Sequence, residues 1–259
     1  MSVHTRKRTL AYEERGTGMP VVFLHGLTFD RSAWGPIVDR LGAGVRSIAV
    51  DLPGHGETAG PPGSLDEVVS RLHALLKEVD VDRPLIVGRS MSSSIALLYA
   101  AAHPVRGVVS VDQPVDVRPF ARLVQRIEPA LRGAGFQAAF ESFQASMGLE
   151  QLDASVRRRV SAAQRVEQDL VLGYWEEAMR SDPDELQARF AEALGQIRAP
   201  VLFVFGRQLE DGDRAYLLSQ LPQAQLDVWP GGGHFVHLVD ADRFTTRLRE
   251  FVDDCRVER

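Results

Sequence analysis

The feature that most restricts the fold of this chain is an alternation. Short apolar runs rich in β-branched residues recur at residues 21–24, 47–50, 85–87, 107–111, 201–205 and 226–229, each about the length of a buried strand. Between most of them the apolar residues fall at helical spacing. Leu65, Val68, Val69, Leu72, Leu75, Leu76 and Val79 repeat at three and four residues, which predicts an amphipathic helix. It follows the break Pro61-Pro62-Gly63-Ser64, where Ser64 is the expected N-cap and Glu67 completes a capping box. Strands that are apolar throughout need cover on both faces. Alternated with helices, they predict an α/β fold: a mostly parallel sheet with helices on each side.

The alternation breaks once. Residues 115–197 contain no strand-like run, only helical segments at 120–131, 136–147, 152–179 (with breaks) and 185–197. Gly133, Gly135, Gly148, Gly173 and Pro183 punctuate the stretch. At 259 residues one domain with an insertion fits better than two independent domains. The expected organisation is therefore a core of residues 1–114 and 198–259, with 115–197 forming a helical cap inserted between two late strands.

Charge and cysteine content narrow the partners. The formal net charge is −5 and the basic residues are scattered, which leaves no electrostatic footprint for nucleic acid. Arg6, Lys7 and Arg8 precede no apolar stretch of signal-peptide length, and the run at 95–102 is too short to span a bilayer. A soluble cytoplasmic protein with a small-molecule substrate and no membrane partner is expected, and a homodimer is left open. The single cysteine, Cys255, permits no intramolecular disulfide and is expected to be inert in a mobile tail.

Four segments carry chemistry. Leu85-Ile86-Val87-Gly88-Arg89-Ser90-Met91-Ser92 reads as a strand, a sharp turn and a small-residue helix start. This is the context of a G-x-S-x-G nucleophile elbow, in which a strained turn lifts the serine hydroxyl clear of the backbone. Ser92 stands where the last glycine is usual. The plainer reading is a turn serine capping the helix. Phe23-Leu24-His25-Gly26-Leu27 and Asp51-Leu52-Pro53-Gly54-His55-Gly56 each follow a strand, and Trp229-Pro230-Gly231-Gly232-Gly233-His234 places a histidine on a glycine-rich loop. A general base has to reach the serine hydroxyl while its other ring nitrogen faces a carboxylate, and such a loop can present it. His25 as a metal ligand would need partners at ligand spacing, which the sequence lacks.

Taken in order, strand-His-Gly, Asp-x-x-Gly-x-Gly, Gly-x-Ser-x-small and Gly-Gly-His before a last helix resemble the α/β-hydrolases of the esterase, haloalkane-dehalogenase and epoxide-hydrolase superfamily. The resemblance covers nearly all of the chain outside the insertion, which looks like their cap. It implies the α/β-hydrolase fold, Ser90 as nucleophile and His234 rather than His237 as base. It also implies an oxyanion hole from the Leu27 and Met91 amides, no metal or cofactor, and a structural Asp51–Gly56 loop. The acid is left between two places. Asp112 directly follows the strand at 107–111 and is preferred; Glu210 and Asp211 follow Leu209, which occupies the position where many relatives carry the acid. His25 is expected to shape the oxyanion loop, and with Arg89, Tyr174 and Trp175 it makes up the expected substrate pocket. Arg89 either anchors a substrate carboxylate or braces the cap through an acidic residue. A serine nucleophile points to acyl transfer on an ester, lactone or thioester. The same triad in relatives also serves carbon–carbon bond hydrolysis and cofactor-free lyase or oxidative chemistry, and some members of the fold only bind ligands.

Overall fold

The computed structural model describes residues 9–42, 44–145 and 147–257. Its strands are β1 (Tyr12–Arg15), β2 (Gly18–Leu24), β3 (Gly44–Val50), β4 (Leu85–Arg89), β5 (Gly107–Val111), β6 (Val201–Phe205) and β7 (Ala224–Val228). They form one sheet in the order β1-β3-β2-β4-β5-β6-β7, antiparallel only between β1 and β3. Every residue of β4, β5 and β6 is buried, as central parallel strands require. β1 has no apolar run to announce it. Its Glu13, Glu14 and Arg15 are exposed, and it is a strand because the edge of β3 offers it backbone partners; charged side chains there protect that edge from further pairing.

The helices of the core are α1 (Gly35–Leu41), α2 (Leu65–Glu78) and α3 (Met91–Ala102). Those of the insertion are α4 (Arg118–Arg132), α5 (Phe136–Ala145), α6 (Ala154–Ala162), α7 (Gln168–Arg180) and α8 (Pro183–Leu194). After β6 come α9 (Asp211–Gln220), α10 (Val236–Val239) and α11 (Ala241–Val257). Two apolar layers sandwich the sheet. One gathers residues of α2, α3, α8 and α9, and the other those of α1, α10 and α11. On α2 the capping box forms as expected, with Ser64 Oγ accepting from the Glu67 amide at 3.2 Å and Glu67 Oε2 from the Ser64 amide at 2.9 Å. The helix buries Val68, Val69, Leu72, Leu75 and Leu76, each worth about 1.5–3 kcal/mol on full burial.

Between β5 and β6 the described residues form only helices and their connections, and the last helix, α8, packs both on α3 of the core and on α4. Gly173 does not break a helix. It lies inside α7, and a Cβ there would meet Pro62 Cγ at 2.4 Å, so glycine lets α7 settle onto the loop ahead of α2. The C-terminal segment is not loose either: Cys255 is 2% exposed and sits in the α11 layer of the core. Among the described residues no helix is long and apolar enough to cross a membrane.

Candidate active site

Ser90 lies between β4 and α3 with φ 56° and ψ −133°, a left-handed conformation that L-residues adopt only under constraint. Neighbouring bonds supply it. The Ser90 amide donates to Val111 O at 2.9 Å, and the Ser93 amide to Ser90 O at 2.8 Å. Gly88 is required by close approach, since a Cβ there would lie 2.3 Å from Ser92 O. Ser92 does more than stay small. Its fully buried hydroxyl accepts from the Arg89 amide at 2.9 Å and lies 2.7 Å from Leu24 O, so its proton ties the elbow to the end of β2.

Asp112 and His234 meet. Asp112 Oδ2 is 2.8 Å from His234 Nδ1, and Asp112 Oδ1 accepts from the Gly206 amide at 3.1 Å. Asp112 itself takes φ 50°, and its amide donates to Val204 O at 2.9 Å. The loop carrying His234 is drawn in by the Gly233 amide donating to Gly206 O at 3.1 Å. A Cβ on Gly206 would lie 1.9 Å from Gly233 O, which makes glycine the residue that fits at the end of β6. With Nδ1–H facing the carboxylate, Nε2 is the bare nitrogen. It is buried and, among the described residues, has no hydrogen-bond partner, Ser90 Oγ included. Such contacts lengthen in the absence of substrate and tighten when it binds. Burial pulls the His234 imidazole below its ordinary pKa and the Arg89 charge adds to this, while the bond to Asp112 opposes it.

Glu210 and Asp211 are exposed; Glu210 is the N-cap residue of α9, Asp211 opens that helix, and neither bonds to His234. Leu209 is buried in the core instead. The structure therefore brings Asp112, and not the later acids, to the histidine.

The loop after β2 holds Thr28 at φ 69°. The Thr28 amide donates to His55 Nε2 at 3.1 Å; among the described residues no hydrogen bond engages the neighbouring Leu27 amide, and Met91, as the first residue of α3, has no intrahelical acceptor. His25 and His55 brace this loop from below. His25 donates to Gly26 O and accepts from the Leu52 amide, and the two imidazoles pack edge to face at 4.7 Å. Burial drives their pKa values down to about 4 and about 3, so both rings stay neutral. Asp51 accepts from the amides of Arg31 and Glu57 and pairs with the Arg31 guanidinium.

The expected pocket residues need correction. His25 is 1% exposed with both ring nitrogens engaged, so it shapes the loop and lines no pocket. Tyr174 spends its hydroxyl on Pro53 O at 3.0 Å and packs at a tilt against His55, tethering α7 to the loop after β3. Trp175 is buried between α4, α5 and α7, among Phe120, Phe140 and Phe143. Arg89 alternates to the α1/α11 side of β4 with Leu85 and Val87, and among the described residues no acidic side chain between β5 and β6 forms an ion pair with it. A cleft of about 240 Å³ between Val115, Arg118, Phe205, Leu209 and Tyr216 opens beside the Asp112 loop, and neither Ser90 nor His234 lines it. Among the described residues no three His, Cys, Asp or Glu side chains cluster as a metal site.

Residues the sequence did not single out also contribute. Met147 O accepts from the His234 amide at 3.3 Å, and the Arg165 amide donates to Thr28 O at 2.7 Å. Both are backbone bonds from the insertion, and backbone partners leave no signature in side-chain identity.

Residues 21–247 match the profile described as "Alpha/beta hydrolase family". The chain is 26% identical to the 2-(acetamidomethylene)succinate hydrolase of Mesorhizobium japonicum, covering 95% of this chain and 92% of that one. It is 26% identical to a 2-hydroxy-6-oxononadienedioate/2-hydroxy-6-oxononatrienedioate hydrolase of Cupriavidus pinatubonensis, covering 90% and 86%. Its backbone is similar to that of a thermophilic esterase from Thermogutta terrifontis, with a TM-score of 0.71 at 21% identity over 95% and 93% of the two chains. By sheet order, elbow and profile together, the chain belongs to the α/β-hydrolase family.

Proposed function

We propose that the protein is a serine hydrolase that cleaves a small-molecule carboxylic ester, lactone or thioester through an acyl-enzyme. One observation carries this reading: the 2.8 Å contact of Asp112 with His234 Nδ1 lies one residue along from Val111, whose carbonyl holds the amide of the strained Ser90. In this reading His234 Nε2 takes the hydroxyl proton as Ser90 Oγ bonds to the substrate carbonyl carbon. The Leu27 and Met91 amides donate hydrogen bonds to the carbonyl oxygen as negative charge develops on it. As the tetrahedral centre collapses, His234 returns the proton to the leaving alcohol or thiol. Water, deprotonated by the same nitrogen, then attacks the acyl-enzyme and releases the acid and free Ser90. Asp112 fixes the tautomer and supports the imidazolium. The cap excludes water from the reacting carbonyl.

A second reading, carbon–carbon bond hydrolysis of a diketone-type substrate, is favoured by the similarity to the 2-hydroxy-6-oxononadienedioate hydrolase. The first test is common to both. A fluorophosphonate should label wild-type protein at Ser90 and leave Ser90→Ala unlabelled, with the variant's circular dichroism unchanged; labelling elsewhere would end the serine reading. Turnover of short and medium-chain p-nitrophenyl esters against dienoic diketones then separates the two chemistries.

A further inference from the structure

Arg89 is an anomaly that the reaction above leaves unused. Its side chain is 3% exposed, and its Nε is buried with no hydrogen-bond partner. No carboxylate pairs with it among the described residues, although an arginine buried in this way is ordinarily matched by an acid. The guanidinium is instead held by two aromatic faces, 4.8 Å from the centre of Phe29 and 4.3 Å from that of Phe235, a cation–π arrangement. Its position is fixed at the site. A Cβ built on Gly26, the residue before Leu27, would lie 3.2 Å from Arg89 Cζ, and Phe235 directly follows His234.

We propose that Arg89 is a positioning residue of the acyl-transfer site: its unpaired guanidinium, locked under the Gly26–Leu27 loop and beside the His234 loop, is a fixed positive charge that favours the negative tetrahedral intermediate and opposes premature protonation of His234. The proposal rests on the serine-hydrolase reading. Its physical basis is that a charge in a desolvated pocket acts over several ångströms with little screening. Because two rings and the elbow backbone hold it, it needs no reorganisation when the oxyanion forms. The titratable and charged groups around it are Asp112 at the end of β5, His25 at the end of β2, His234 on the loop after β7 and His237 on α10; Arg31 bears on His25 from the loop after β2. Asp112 is the sole acid in that set, and it is bonded to His234 and to the Gly206 amide. The Arg89 charge lowers the basicity of His25, His234 and His237 alike. Its own pKa is brought down to about 10 by burial, so it stays charged wherever an esterase would be assayed.

The test is the pH profile of kcat/KM on a neutral p-nitrophenyl ester for wild type, Arg89→Lys, Arg89→Met and Arg89→His. The acid limb reports His234 in the free enzyme. In Arg89→Met that limb should move up by on the order of one pH unit, and the plateau should fall by roughly ten- to a hundredfold. Arg89→Lys, which keeps the charge, should hold the wild-type limb. Arg89→His, whose flat ring can pack between Phe29 and Phe235, is the second charge-removing variant should methionine disturb the fold; its limb should follow Arg89→Met. An unmoved acid limb in both charge-removing variants would overturn the proposal, as would equal losses in Arg89→Lys and Arg89→Met. Fluorophosphonate labelling of each variant keeps the two ideas apart: failure of wild type to label at Ser90 sinks the hydrolase reading, whereas normal labelling with an unmoved limb sinks only the role of Arg89.

Discussion

Acidification should unfold this protein early, and the amount can be worked from the two histidines packed under the loop after β2. In the unfolded chain each imidazole titrates near the ordinary value, about 6.5. In the native state burial holds His25 at about 4 and His55 at about 3. Below pH 6.5 the unfolded chain therefore binds two protons that the native protein refuses. Stability is fully present above the unfolded pKa and is lost as pH falls toward the native values. Between pH 7 and pH 5 each histidine removes about 2 kcal/mol, together about 4 kcal/mol, against a total stability of about 5–15 kcal/mol for a domain. His234 and His237 are shifted in the same direction and add to the loss. Urea unfolding followed by circular dichroism at pH 7, 6 and 5 measures it. In His55→Gln the midpoint at pH 7 should fall, because the Thr28 amide loses its acceptor geometry, while the dependence on pH should become shallower by about one proton. Equal stability at pH 5 and pH 7, or an unchanged slope in His55→Gln, would refute the linkage.

The remaining expectations concern the site. Asp112→Asn should lower turnover by about 10⁴-fold, as in the template triad, while Glu210→Gln and Asp211→Asn stay near wild type; the ranking of the three in one ester assay is the check. Gly206→Ala should lower the melting temperature, at a cost of about 1–3 kcal/mol, and reduce kcat/KM at least tenfold. The added methyl cannot coexist with Gly233 O, and moving that carbonyl moves the base. A variant that keeps both properties would show that the His234 loop does not depend on this approach.

What could be read from the chain followed from how densely each element is encoded. The central strands are apolar throughout and the face of α2 is periodic, so β2 to β7 and α2 could be located from hydrophobicity, turn residues and one capping box. Asp112 could be weighed against Glu210 because one follows a strand directly while Leu209 fills the rival place. β1 was invisible, since four mostly charged residues become a strand only by borrowing partners from β3. The pocket was misjudged for a related reason. Tyr174 and Trp175 have the composition of a binding surface, but aromatic residues fill interiors as readily as they line cavities, and only three-dimensional neighbours tell the two apart. Arg89 illustrates the same limit: its position in the elbow could be read from the sequence, and the missing carboxylate could not.

The bonds from Met147 to His234 and from Arg165 to Thr28 have a consequence for how the enzyme's parts can be exchanged. The chain between β5 and β6 grips the His234 loop with one end of a short stretch and Thr28 with the other. Lifting that stretch from the sheet would break both bonds, so on the proposed reading admission of substrate and assembly of the reactive groups become a single mechanical event. Caps grafted from other family members would carry their own selectivity into this core and still leave it slow, unless the graft brought a carbonyl and an amide to those same two addresses. On that reading, functional recombinants between relatives should be those whose crossovers keep residues 147–165 with their own sheet.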